Sequence, residues 1–195
     1  MARLYVLMGK SASGKDTIYR RLLEDMQLKL KPVVPYTTRP IRSGEEDGRE
    51  YYFVGEARLR ELEAEGRVVE HRVYQTVYGA WHYFTVDDGQ IALSGAQDYL
   101  MIDTLAGYLQ LREYFGAEHV VPLYVEVEDG LRLARAVERE RGQQQPKYAE
   151  LCRRFLADEE DFAPDKLAQA GVLVRYPNED LEECIVAVAA AVKRS

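Results

Sequence analysis

The run Gly9-Lys10-Ser11-Ala12-Ser13-Gly14-Lys15-Asp16-Thr17 sets two glycines with four residues between them, follows the second with a lysine, and then supplies a carboxylate and a hydroxyl. Glycines let the backbone turn until successive N–H groups point inward at an anion, and a helix opening there adds its positive end. Lys15 supplies a mobile point charge for outer phosphates. This is the chemistry of a P-loop, with Gly9, Ser11, Ala12, Ser13, Gly14, Lys15, Asp16 and Thr17 around a nucleotide's phosphates. Asp16 stands where the motif carries Ser or Thr for Mg²⁺. Either its hard carboxylate oxygens hold the ion directly or through water, with Thr17 as a second oxygen donor or a phosphate contact, or the metal site is lost.

A second set of cations follows. Arg39 and Arg42, with Pro40 stiffening the link, offer two planar forks to one phosphate, and the Tyr51 hydroxyl adds a neutral donor. Two anion sites on one small domain imply two phosphorylated ligands.

The segment Pro35-Tyr-Thr-Thr-Arg39-Pro-Ile-Arg42-Ser-Gly-Glu-Glu-Asp-Gly-Arg-Glu-Tyr51-Tyr-Phe-Val54 resembles the guanylate kinase family, whose hallmark is Thr-Thr-Arg-x-x-Arg-x-Gly-Glu-x-x-Gly-x-x-Tyr-x-Phe-Val. The resemblance extends over nearly the whole chain. It implies that Glu70 reads guanine, Tyr78 contacts the acceptor phosphate and Asp103 lies near the nucleotide. A carboxylate can accept from both the ring N–H and the exocyclic amine of guanine, a pattern adenine lacks. Arg135 and Arg139, four residues apart, and Arg154 resemble the arginines that members close over the transferring phosphoryl group. The implied reaction is ATP + GMP to ADP + GDP with Mg²⁺, catalysed by Lys15, Arg39, Arg135, Arg139 and Arg154, with Arg39, Arg42, Tyr51, Glu70, Tyr78 and Asp103 holding GMP.

Four positions depart from that pattern. Besides Asp16, Pro35 replaces a guanine-contacting serine, Ala80 a frequent serine, and Met101 an additional acid. Proline has neither hydroxyl nor N–H to give a base oxygen. Pro35 also resembles the non-catalytic guanylate-kinase-like domains of scaffold proteins, which hold phosphorylated peptides. The Gly-Lys-Asp ending resembles kinases that act on ribose 1,5-bisphosphate. Retention of Lys15 and the arginines of 135–154 favours the phosphotransferase, and the full Thr-Thr-Arg to Phe-Val segment with Glu70 favours the nucleotide.

Elements must position these groups. Leu4 to Met8 is an uninterrupted apolar run suited to a strand covered on both faces. In Lys15 to Gln27, Ile18, Leu22 and Met26 recur at helical spacing beside Leu23. Further central strands are expected at 99–103, 120–127 and 172–175, and helices near 104–115, 129–141, 148–162 and 179–193. Short β-rich runs near 33–38, 50–54, 68–73 and 80–85, with a helix between Glu56 and Glu65, read as a small insertion. The expectation is a single α/β domain over 1–195: a P-loop three-layer fold with a central parallel sheet (1–32 and 86–195), an inserted mixed α/β subdomain for the monophosphate (about 33–85), and a helical lid (about 135–155) around the polar Arg141–Pro146 segment.

Composition agrees with a soluble globular chain: 195 residues, 47% apolar and 30% charged. The net charge of −7 argues against binding a nucleic-acid polymer. It divides unevenly, +6 over residues 1–42 and −13 over the remainder. Cys152 and Cys184 form no metal knuckle, the three histidines lack ligand-like spacing, and no signal or membrane-spanning run is present. A cytoplasmic setting is expected.

Overall fold

The computed structural model describes residues 1–42, 44–76 and 79–194. Strand β1 (Leu4–Met8) is buried at every residue because it lies between two parallel neighbours with helices on both faces. The main sheet has the order β2-β7-β1-β8-β9, from β2 (Lys31–Pro32), β7 (Tyr99–Ile102), β8 (Val120–Glu126) and β9 (Arg175–Pro177), all parallel. Pro32 is tolerated because β2 is an edge strand.

The alternating side chains of β1 feed two cores. Tyr5 and Leu7 pack with Ile18 and Leu22 of α1 (Lys15–Glu24) and with Cys184, Val188 and Val192 of α7 (Leu181–Arg194). Leu4, Val6 and Met8 pack with Leu105, Tyr108 and Leu111 of α3 (Leu105–Phe115) and with Leu167 of α6 (Pro164–Gln169). Met101 is fully buried in that second core. Helices α4 (Asp129–Arg141) and α5 (Tyr148–Asp161) follow β8.

A separate sheet of order β4-β3-β6-β5 is built from β3 (Tyr36–Thr37), β4 (Tyr52–Phe53), β5 (Val68–Thr76) and β6 (Gly79–Val86). Its core is Phe84 and Val86 against Leu59 and Leu62 of α2 (Glu56–Ala64). The β5–β6 register slips between Val68 and Glu70, so Val69 enters the main core while Glu70 faces Thr85.

Two expectations are corrected. The last strand begins at Arg175, three residues later than its apolar run, because the chain turns at Gly171 (φ 75°) and leaves Leu173 and Val174 exposed before reaching β8. Helix α1 ends at Glu24 and Met26 is 84% exposed, since the Asp25 carboxylate accepts the Gln27 N–H and turns the chain outward. Among the described residues no helix is long and apolar enough to cross a membrane.

Candidate functional site

The loop between β1 and α1 is shaped by close approach. A side chain at Gly9 would meet Ser13 Oγ and the Val125 carbonyl at 2.7 Å each, so only glycine fits. Ala12 and Gly14 both take positive φ, 63° and 85°. Gly14 caps α1, and the first turn carries Lys15, exposed Asp16 and half-buried Thr17. Asn178, just after β9, donates from Nδ2 to the Ser13 carbonyl at 2.7 Å and fixes the loop from behind. The buried Ser13 Oγ has no hydrogen-bond partner, and Lys15 has no ion-pair partner among the described residues. Inward-turned backbone, an unsatisfied hydroxyl and an unpaired ammonium at a helix N-terminus fit a polyphosphate. Asp16 and Thr17 give hard oxygen donors on the same turn, a set compatible with Mg²⁺ that keeps several waters.

Other ends of the sheet converge on this loop. Arg139 of α4 and Arg154 of α5 line a narrow cleft with Ser11, Ala136 and Phe155. Arg154 Nε is buried without a hydrogen-bond partner among the described residues. Arg135 turns elsewhere, donating from Nη1 to the Asn178 carbonyl at 2.9 Å. A cavity of about 380 Å³ opens beside Lys10, between the C-terminal ends of β8 and β9, with Val127, Pro177 and Glu179 in its wall. The acids of α5 also reach the loop. The Ser11 N–H donates to Asp158 at 2.7 Å, Lys10 pairs with Glu159 at 2.6 Å, and Arg132, 1% exposed, joins Asp129, Asp158 and Glu159 under the Phe155 ring.

The second anion segment uses its two arginines differently. Arg39 is buried, and Nη1 and Nη2 each donate to one oxygen of Glu45 at 2.8 Å, while Nε donates to the Tyr83 hydroxyl at 3.1 Å. The Arg39 fork holds the Glu45 carboxyl below the usual range. Glu45 accepts the Arg42 backbone N–H as well, leaving the exposed Arg42 guanidinium without a partner among the described residues. Tyr51 lies against Arg39, Phe53 and Tyr83, and burial pushes its hydroxyl up to about 12.

Glu70 and Asp103 are both buried, 1% and 4% exposed. Arg72, two residues along β5 and so on the same face, bridges them: Nε pairs with Glu70, and Nη1 with Asp103 at 2.8 Å. Thr85 donates to the second Glu70 oxygen at 3.2 Å, and the Thr104 N–H donates to Asp103 Oδ1 at 2.6 Å. Asp103 Oδ2 is buried without a partner among the described residues. Burial pushes Asp103 up to about 7 against the pull of Arg72, with the neighbouring Glu70 adding to the rise. Burial raises Glu70 as well. A Cβ at Gly107 would collide with the Asp103 carboxylate, so α3 can approach only through glycine there. Tyr78 lies outside the described residues.

The structure thus brings Arg139 and Arg154 to Ser11 of the loop that carries Lys15, and joins Glu70 to Asp103 through Arg72. Arg135 is tied to backbone and Arg39 to Glu45. Residues absent from the sequence reading are Arg72, Asn178, Arg132, Asp158 and Glu45. Period-two spacing could have put Arg72 beside Glu70, and Pro177-Asn178 at a strand end was the signal for Asn178.

A family model described as guanylate kinase matches residues 1–193. The chain is 32% identical over 115 residues to the guanylate kinase of Coxiella burnetii, covering 58% of this chain and 53% of that protein. To that of Oleidesulfovibrio alaskensis it is 38% identical over 107 residues, covering 55% and 50%. The chain spans about half the length of these relatives in those matches. With the guanylate kinase of Porphyromonas gingivalis, identity is 24% over 194 residues, 98% of this chain and 97% of that protein. In fold it is similar to the crystal structure of guanylate kinase from Anaplasma phagocytophilum, with a TM-score of 0.65, 23% identity, and coverage of 99% of this chain and 85% of that one.

Proposed function

The chain belongs to the guanylate kinase family, and from that premise we propose that it transfers the γ-phosphoryl group of ATP to GMP or a related small phosphorylated acceptor. The observation that carries this reading is the pairing of an unpartnered Lys15 with an unsatisfied Ser13 hydroxyl at the N-terminus of α1, features without a structural purpose of their own.

In this mechanism the β1–α1 loop cradles the ATP phosphates through N–H groups and Lys15. The nucleoside end takes the cavity beside Lys10, whose volume of about 380 Å³ suits a small ligand. Arg42 and Tyr51 hold the acceptor phosphate in line, and Arg39, through Glu45, fixes the turn that presents Arg42. Arg139 and Arg154 neutralise charge on the transferring group and exclude water, so the segment 135–155 acts as the lid. The acceptor oxygen is already anionic, so no general base is required. Mg²⁺, held by Asp16 and Thr17, would supply further neutralisation of phosphate charge.

The test is ADP formation from ATP and Mg²⁺ with each nucleoside monophosphate and with ribose 1,5-bisphosphate. Acceptor-dependent turnover is expected, falling by about 100-fold or more in Lys15→Ala. A folded protein that turns over no acceptor yet binds a phosphopeptide tightly would sink the proposal.

A further inference from the structure

Two carboxylates free to accept hydrogen bonds would suit the N–H edge of guanine. In this chain both Glu70 oxygens and Asp103 Oδ1 are already engaged, and only the buried Asp103 Oδ2 has no partner among the described residues. Arg72 lies between the two acids, 16% exposed, giving Nε to Glu70 and Nη1 to Asp103, and Thr85 takes the other Glu70 oxygen. A guanidinium carries five N–H donors and no acceptor, so after serving both acids it still has donors to offer. The Tyr74 and Tyr83 rings, in edge contact at 5.5 Å, stand on the same face of β5 and β6, and the Tyr74 hydroxyl is itself a partner of the Arg72 guanidinium. Guanine's ring N–H and exocyclic amine would meet a cation here. Reaching Glu70 would mean breaking a buried, charge-assisted contact and leaving Arg72 with Asp103 as its sole carboxylate partner.

We propose that Arg72 reverses the polarity of the reading end, so that the preferred acceptor carries, at the end remote from its accepting phosphate, oxygen acceptors in place of guanine's donors. The shared chemistry is an anionic or carbonyl oxygen facing the guanidinium, as in a 2-oxo purine or a second phosphate. This rests on the phosphotransferase reading for turnover but not for binding, and the experiment keeps the two apart.

Xanthosine monophosphate has a 2-oxo group where GMP has a 2-amino group, with N3 correspondingly protonated or ionised, and ribose 1,5-bisphosphate has a phosphate where GMP has a base. Affinities of the full chain for all three are measured by calorimetry without ATP, and kcat/KM with ATP and Mg²⁺. At least one oxygen-edged ligand is expected to bind ten or more times more tightly than GMP, and which one identifies the source. In Arg72→Gln, which removes the charge and keeps a donor, that ratio is expected to fall by about tenfold, with Arg72→Lys intermediate. GMP binding at least as tightly as both, or a ratio unchanged in a folded Arg72→Gln, overturns the inference. The wild-type ratio decides alone should neither variant fold. Absence of turnover with the expected binding order would instead remove the phosphotransferase reading and leave this one standing.

Discussion

Arg39 and Arg42 lie three positions apart in one motif, yet burial separates their roles. Arg39 is 3% exposed and spends both Nη groups on Glu45, 17% exposed on its side chain. Removing one partner of such a pair strands the other, at a cost of about 3 kcal/mol. Arg39→Ala is therefore expected to lower stability by that order in urea unfolding, whereas Arg42→Ala should stay within about 0.5 kcal/mol and show its loss as a raised acceptor KM. Equal stability losses would mean that Arg42 is also structural. The residue types of the phosphate loop were readable because glycine and lysine spacing is itself the mechanism. The bridge made by Arg72 was not, because period two sets Arg72 beside Glu70 but no spacing shows that Asp103, just past β7 of the other sheet, meets the same guanidinium.

Helix α5 carries the same lesson one level up. Its limits, Tyr148–Asp161, follow from its apolar period, as do those of α4, the helix it packs against. What periodicity cannot show is which polar face meets which loop, and here an acidic face sits on the phosphate loop. Asp158 accepts the Ser11 N–H at 2.7 Å, an amide that a bound polyphosphate would claim. The carboxylate and a phosphate there repel, so nucleotide binding must displace it. Asp158→Asn is expected to tighten ATP binding about fivefold, roughly 1 kcal/mol, by calorimetry. Weaker binding would show that Asp158 shapes the loop for its ligand. The short strands β2, β3 and β4 escaped sharp placement for a related reason: two residues are too few for a period and owe their pairing to neighbours already in place.

At the scale of the whole molecule, the positive excess of residues 1–42 includes Lys15, Arg39 and Arg42, while acids dominate the remainder. Helix α7 closes one face of the main sheet against α1, and its Cys184 is buried among apolar side chains at 1% exposure, so its ionisation reports on that closure. Burial pushes the Cys184 thiol from its ordinary 9.0 up to about 11, with Glu179 adding to the rise. For a thiol raised on folding, the sign is set by the unfolded chain, which releases its proton first. Below about pH 9 both states hold the proton and stability is unaffected. From about 9 to 11 the unfolded state alone ionises, and stability falls with a slope of at most about 1.4 kcal/mol per pH unit. Tyr19, Tyr51 and Tyr124, each pushed by burial from 10.0 to about 12, steepen the loss one unit higher. Urea unfolding at half-unit intervals from pH 7.5 to 10.5 should therefore show stability turning downward near 9 in the wild type and near 10 in Cys184→Ala. The comparison holds even though the variant starts from a lower baseline, because the position of the turn depends on which groups titrate. Identical turning points would mean that water reaches Cys184 in the folded chain, and that α7 does not seal this core.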